Sequence, residues 1–349
     1  MQLALLRSTS EFQSLADEWN SLLEESASHV PFLRHEYLFA WWQTLGGGEW
    51  KNTTGSEPEL CLVTGRAPDG SLLGIAPLFF TRNREGEPAL MLLGSIEISD
   101  YLDLIVAPQD LDTFIPALLD FLVTSPDLPA WSVLDFYNLI ETSPTLPSIQ
   151  SAARTRGWID QIEKLQHCPA IPLASDWDSY LAGIDKKQRH EIRRKMRRIE
   201  SPEQAARWYI VSDPARLAGE IESFFDLMAF DPEKKAFLTP EMRTQMRLAY
   251  EAGFKAGWLQ LAFIEIDGEK AAAYLNFDYD NQIWVYNSGI NYDLGALSPG
   301  WVLLGYLIQW AIEHGRASFD FMRGDEDYKY RFGGIDRRIQ RIILRRPTP

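Results

Sequence analysis

The stretch LQLAFIEIDGEKAAAYLNFDYDNQIWVYNSGINYDLGALSPG, Leu259–Gly300, holds three apolar runs separated by two tight-turn signals, Asp267-Gly268 and Asp280-Asn281. Leu259–Ile266, Lys270–Phe277 and Ile283–Ile290 therefore read as an antiparallel three-strand meander. The stretch ends by opening a helix over Pro299–Gly315. Ser298 is a natural N-cap there, and Pro299 a natural first helical residue. Strands at Ala317–Met322 and around Ile339–Leu344 follow. Upstream, the pattern predicts a helix over Asp178–Glu200, a strand over Arg207–Val211, and helices over Ala215–Ala229 and Pro240–Ala252.

The first half runs through the same order. Gln2–Leu6 is a strand. Ser10 reads as an N-cap with Gln13 in the capping-box position, ahead of Phe12, Leu15, Trp19, Leu22 and Leu23 at helical spacing. A second helix spans His35–Leu45 and stops at Gly46-Gly47-Gly48. Leu60–Val63, the turn Pro68-Asp69-Gly70 and Leu72–Phe80 form a hairpin. Apolar runs at Ala89–Leu93 and Leu102–Val106, a helix over Leu111–Val123, a strand over Ser132–Tyr137 and a helix over about Pro147–Gly157 complete it. Strand, two helices, meander, helix, strand thus occurs twice, with the boundary near residues 160–175, where Pro169 and Pro172 break the pattern. The expected fold class is α+β, in two tandem domains.

A length of 349 residues, 46% of them hydrophobic, suits two such cores. Net charge is −15, a poor match to a chain that wraps nucleic acid along its length. The two cysteines, Cys61 and Cys168, have no metal spacing and suggest a reducing compartment. The most apolar stretch, Trp301–Ile312, is shorter than the roughly 18 residues of a membrane span. A cytoplasmic protein is expected. Metal, serine-hydrolase and dinucleotide chemistry find no support. After His35-Glu36 position 39 is Phe, the five histidines are scattered, and no G-x-S-x-G, Walker loop or G-x-G-x-x-G occurs.

Three features carry chemistry. The Ser298-Pro299-Gly300 helix start presents unpaired N–H groups to an anion, although as a sequence feature it also reads as an ordinary helix start. Phe319-Asp320-Phe321-Met322-Arg323-Gly324-Asp325-Glu326-Asp327-Tyr328-Lys329-Tyr330-Arg331 runs from an apolar strand into a glycine and a cluster of charges and tyrosines. Such loops at strand ends are where sites sit. Lys186–Arg198 carries eight cations and one acid, net +7, and residues 323–346 carry eight cations and four acids, net +4. Removing both from −15 leaves −26 on the rest, so positive charge is concentrated in two segments of the second half.

With these residues in view, the run from Leu297-Ser298-Pro299-Gly300 to Asp327-Tyr328-Lys329 resembles the signature of GNAT-fold acyltransferases of the cellulose-biosynthesis CelD-like group, relatives of the FemAB aminoacyltransferases. Lys186–Arg198 is similar to the group's basic helix. Pro31-Phe32, Trp41-Trp42, Ile75-Ala76-Pro77-Leu78 and Ser99-Asp100-Tyr101-Leu102-Asp103 resemble its first half. The resemblance implies a tandem GNAT-like fold, each half a mixed, mostly antiparallel sheet flanked by helices. Residues 1–165 are then a degenerate copy and 166–349 the acyltransferase half.

The implied reaction is transfer from acetyl-CoA or another acyl-CoA, without a metal, to an amine or hydroxyl acceptor such as a sugar or nucleotide-sugar. Cell-surface polysaccharide is the implied setting, and neither DNA nor a membrane span is involved. The usual Q/R-x-x-G-x-G/A pyrophosphate loop is absent, and Pro299 lacks an N–H. Ser298, Gly300, Trp301 and Val302, with Lys329 and Arg323, are the expected cofactor-binding set. Tyr328 is the expected acid for the leaving thiolate, and Asp320 is either a base or an anchor for the motif. Asp100, Arg189 and Arg193 are assigned to the acceptor. Two alternatives stay open: a FemAB-like enzyme using aminoacyl-tRNA, and a non-catalytic module of an envelope assembly.

Overall fold

In the computed structural model, which describes residues 1–45, 57–201 and 205–347, the chain divides into two units. One is Met1–Gln166 joined by the segment that starts at Arg338; the other is His167–Arg337. The expected helix stop at Gly46-Gly47-Gly48 lies outside the described residues.

The second unit is built on one six-stranded sheet. Its order is Ala170–Pro172, Ser318–Asp320, Gln282–Ile290, Glu269–Tyr279, Leu259–Ile266, Ala206–Ile210. The meander forms as its turns predict, with left-handed backbone at Asp267, Gly268, Asp280 and Asn281. The helix Pro299–Glu313 then carries the chain across to Ser318–Asp320, which pairs parallel to Gln282–Ile290. That crossover helix buries Val302, Leu303, Leu304, Leu307, Ile308, Ala311 and Ile312 against Ala272, Ile283, Val285 and Phe319 of the sheet. Burying each large side chain contributes about 1.5–3 kcal/mol, which holds the helix in place.

The predicted helix over Asp178–Glu200 is two helices, Trp177–Gly183 and Lys186–Ile199. Asp185 breaks the run. Its carboxylate accepts from the N–H groups of Lys187 and Gln188 at 2.9 and 3.3 Å and starts the basic helix afresh. A short helix, Pro232–Phe237, was not anticipated.

The first unit contains the same device: Pro88–Leu92 pairs parallel to Val133–Ile140, joined through the helix Leu111–Thr124. Its strands form two sheets. One is ordered Gln2–Leu6, Leu62–Arg66, Leu72–Ala76, Ile105–Val106. The other is ordered Glu59–Leu60, Leu78–Arg82, Pro88–Leu92, Val133–Ile140, Arg338–Arg345, Ile159–His167. The expected hairpin is therefore divided at Cys61 and Pro77, so that each arm contributes to both sheets. The first helix is capped by Ser8 rather than Ser10, in a capping box with Glu11. Two expectations about strands are also corrected. Ile159–His167 is a nine-residue strand where only a boundary was expected. The last strand, Arg338–Arg345, pairs antiparallel with Val133–Ile140 of the first unit instead of completing the second half.

That last strand is held by charge as well as by its ladder. Arg341, 5% exposed, donates to both carboxylate oxygens of the fully buried Asp135 at 2.7 Å and pairs with Glu85 and Glu163. Arg345 pairs with Glu87. No helix of the described residues is long and apolar enough to cross a membrane. Arg341→Met strands a buried carboxylate and should lower stability by about 3–5 kcal/mol. Chemical denaturation reads this directly, and Arg341→Met with Asp135→Leu should recover most of the loss.

Candidate active site

The parallel pairing between Gln282–Ile290 and Ser318–Asp320 covers only Gln282–Trp284, because the second strand ends at Asp320 while the first continues to Ile290. Just beyond it the register against Glu269–Tyr279 jumps: Asn276 faces Val285 and Leu275 faces Asn287, so Tyr286 is an extra residue. Such a bulge bends its strand and re-aims side chains. A parallel pair that ends early next to a bulge, at the end of an α/β layer, is the natural place for a ligand.

The segment after Ser318–Asp320 folds back on itself and is pinned by two buried charges. Asp320, wholly buried, accepts from the Met322 N–H at 2.8 Å and from the Arg337 guanidinium. This holds Met322 at φ 54° and Gly324 at φ 113°. Lys329, 2% exposed, donates to the carbonyls of Arg323 and Gly324 at 2.6 and 3.2 Å and pairs with Glu326 at 2.9 Å. An ammonium removed from water needs such a set of oxygens. Of the two roles left open for Asp320, base or anchor, the hydrogen bonds of its carboxylate fit the anchor. The Lys329 ammonium, expected among the cofactor-binding groups, is hydrogen-bonded inside the loop. Arg323 lends its carbonyl to Lys329.

Tyr328 lies on the short helix Asp327–Arg331, half-buried, its ring edge-on to Phe321 at 6.0 Å. Burial, reinforced by Tyr274 and Glu326, raises its hydroxyl well above the usual tyrosine range, so it stays protonated. Tyr274, 4% exposed and opposite Ser288 beyond the parallel pairing, is raised the same way by burial and by Glu326. Neither hydroxyl has a hydrogen-bond partner among the described residues. Lys234, from Pro232–Phe237, donates to the Ser288 carbonyl at 2.6 Å, and burial lowers its pKa from the ordinary lysine value. Sequence reading missed Tyr274 and Lys234. Asp231-Pro232 signals a helix start, but nothing local indicates that Lys234 reaches a strand 54 residues later.

The helix start at Pro299 fits a phosphate poorly. Ser298 sits at the N-cap in left-handed backbone without a side-chain cap bond, and its N–H is given to Gly295. The Val302 N–H is given to Ser298. Gly300 makes room for the protein itself: a Cβ there would lie 2.6 Å from the Ile290 side chain. Trp301 packs on Phe332 at 4.6 Å with the Lys195 ammonium 4.2 Å from its ring. Only the N–H groups of Gly300 and Trp301 remain of the expected cradle. Of the assigned acceptor residues, Asp100 is buried in the first unit. Arg189 caps the carbonyls of Leu181 and Ala182, and Arg193 pairs with Asp178, both in the second unit.

Residues 186–330 match the family described as the acetyltransferase (GNAT) domain. No curated protein matches the chain. Among solved structures it is similar to FemX, at 12% identity and a TM-score of 0.66, over 98% of this chain and 97% of that one. It is also similar to L-PGS from Bacillus licheniformis, at 13% identity and a TM-score of 0.55, over 95% and 91%. The C-terminal domain (DUF2156) of a putative lysylphosphatidylglycerol synthetase from Agrobacterium fabrum follows at 12% identity and a TM-score of 0.54, over 96% and 92%. The fold is a tandem GNAT-like one, and the basic helix, meander, crossover helix and tyrosine segment fall within the matched domain.

If Lys329 is a staple, Lys329→Met should cost about 3 kcal/mol of stability by leaving buried carbonyls unpaired. Thermal and denaturant unfolding measure it. A fully stable variant that instead shows salt-dependent loss of an anionic ligand would restore the phosphate role.

Proposed function

We propose that this chain, which carries a GNAT domain within a double GNAT-like fold, transfers an acyl group from an acyl thioester to an amine or hydroxyl at the end of the parallel pairing, beside Tyr274 and Tyr328. The observation that carries this reading is the pair of unpartnered, protonated tyrosine hydroxyls beyond the three-residue parallel pairing. In the proposed reaction the acceptor's lone pair attacks the acyl carbonyl carbon. A C–N or C–O bond forms, and the C–S bond breaks. Tyr328 gives its proton to the departing thiolate and recovers one from the acceptor's N–H or O–H. Burial keeps the Tyr328 hydroxyl protonated and excludes a resting tyrosinate. Tyr274 hydrogen-bonds the oxygen that becomes negative, and Lys234 holds the Ser288 carbonyl in position along the strand.

Acetyl-CoA is the donor proposed first, with a sugar or nucleotide-sugar as acceptor and a cytoplasmic, polysaccharide-related setting. The start of Pro299–Glu313 offers a phosphate only the N–H groups of Gly300 and Trp301 from the expected set. That shortage favours a second reading, in which the donor is an aminoacyl ester carried by tRNA.

Donor assays decide between them. Acetyl-CoA with an amino-sugar acceptor should release free thiol in step with product, and Tyr328→Phe should slow turnover roughly 10²–10⁴-fold with the donor KM little changed. Thiol release at wild-type rate in folded Tyr328→Phe would remove the tyrosine from the chemistry. Product formed from aminoacyl-tRNA alone would replace the thioester donor.

A further inference from the structure

The weak phosphate cradle at Pro299 raises the question of where a phosphorylated reactant would be held. One face of the basic helix answers it. Lys187, Gln188, His190, Glu191 and Arg194 recur at the spacing that places them on one side of a helix, and together with Arg331 they line a cleft of about 540 Å³. That volume lies within the roughly 300–1,000 Å³ range of small-molecule sites. Arg331 comes from Asp327–Arg331, three residues after Tyr328, so the cleft adjoins the helix that carries the proposed proton donor.

The charges of the lining are unequally committed. Arg194 is gripped by Glu191 through two contacts of 2.8 and 2.9 Å, and Arg331 pairs with Asp327. Lys187 and His190 make no side-chain hydrogen bond or ion pair among the described residues. The lining therefore holds three permanent cations against one carboxylate, in a protein of net charge −15. A guanidinium held by a carboxylate on one edge keeps N–H groups free on the other, and two guanidinium groups from separate helices suit two adjacent phosphates better than one.

We propose that this cleft binds the diphosphate of a phosphorylated reactant, in place of the helix start at Pro299. The proposal rests on the acyl-transfer reading for the word reactant, and on the cleft alone for the diphosphate. Two sources share that chemistry: the donor, as in acetyl-CoA, and the acceptor, as in a UDP-sugar.

Calorimetric titration of the full chain with inorganic pyrophosphate tests the site without any turnover. Binding should be saturable at low salt and weaken as salt rises. Lys187→Ala and Arg331→Ala should each weaken it by about threefold to tenfold, and Glu191→Gln, which removes the competing carboxylate, should tighten it. Competition then identifies the source: displacement of pyrophosphate by acetyl-CoA assigns the cleft to the donor, and displacement by UDP-N-acetylglucosamine to the acceptor. Absence of pyrophosphate binding, affinity unmoved by the three substitutions, or pyrophosphate displaced by neither compound overturns the proposal. Because Tyr328→Phe leaves the cleft intact, pyrophosphate binding that survives in an inactive enzyme separates failure of the acyl-transfer reading from failure of this one.

Discussion

An ammonium group cannot be taken out of water without oxygen atoms around it, and the site is shaped by that requirement at Lys329. Its partners are the main-chain carbonyls that follow the strand Ser318–Asp320. To supply them, the chain must double back between Met322 and Glu326, through left-handed backbone at Met322 and Gly324. The Asp320 carboxylate fixes the near end of this loop and the Lys329 ammonium its far end. Tyr328, next to Lys329, is presented by a loop that buried charge makes rigid. A tyrosine on a free surface loop would lack both the shielding that keeps it protonated and a defined position.

The loop begins where the parallel pairing stops. Once Asp320 turns inward to Arg337, the strand has no further backbone to offer Gln282–Ile290, which continues alone past Tyr286. The parallel pairing therefore ends at the residue whose carboxylate is buried, and Tyr274 lies past that end on the neighbouring strand. Cationic charge is spent in two different ways nearby. Lys329 and Arg337 are bonded to buried oxygens of the loop and of Asp320, whereas Lys187, Arg194 and Arg331 line a cleft.

The first unit shows the same parallel pairing without such a loop. Its Asp135 stands on the strand that occupies the place of Ser318–Asp320, and its partner, Arg341, arrives from the end of the chain. Each unit therefore neutralises one buried aspartate beside its parallel pair with an arginine. The chain returns to the first unit to do so, after the whole of the second has intervened.

Much of the architecture was legible in the order of residues, because helices, hairpins and caps are settled by neighbours a few positions apart. His35–Leu45 and Leu259–Ile266 run as read, and the turns at Asp267-Gly268 and Asp280-Asn281 need only their own side chains and the glycine. The capping serine was misplaced by two positions, since Ser8 and Ser10 both precede a helical pattern and only the reciprocal bond to Glu11 separates them. The tyrosine segment and the basic helix were visible as composition. Their roles were not. Whether Lys329 is buried or solvated, what touches Gly300, where Lys234 reaches and which sheet receives Arg338–Arg345 all depend on groups tens to hundreds of residues away. Sequence determined the local elements through short-range hydrogen bonding and apolar periodicity. Only the tertiary structure decided which charges are buried, because desolvation is a property of everything packed around a group and not of the group's place in the chain.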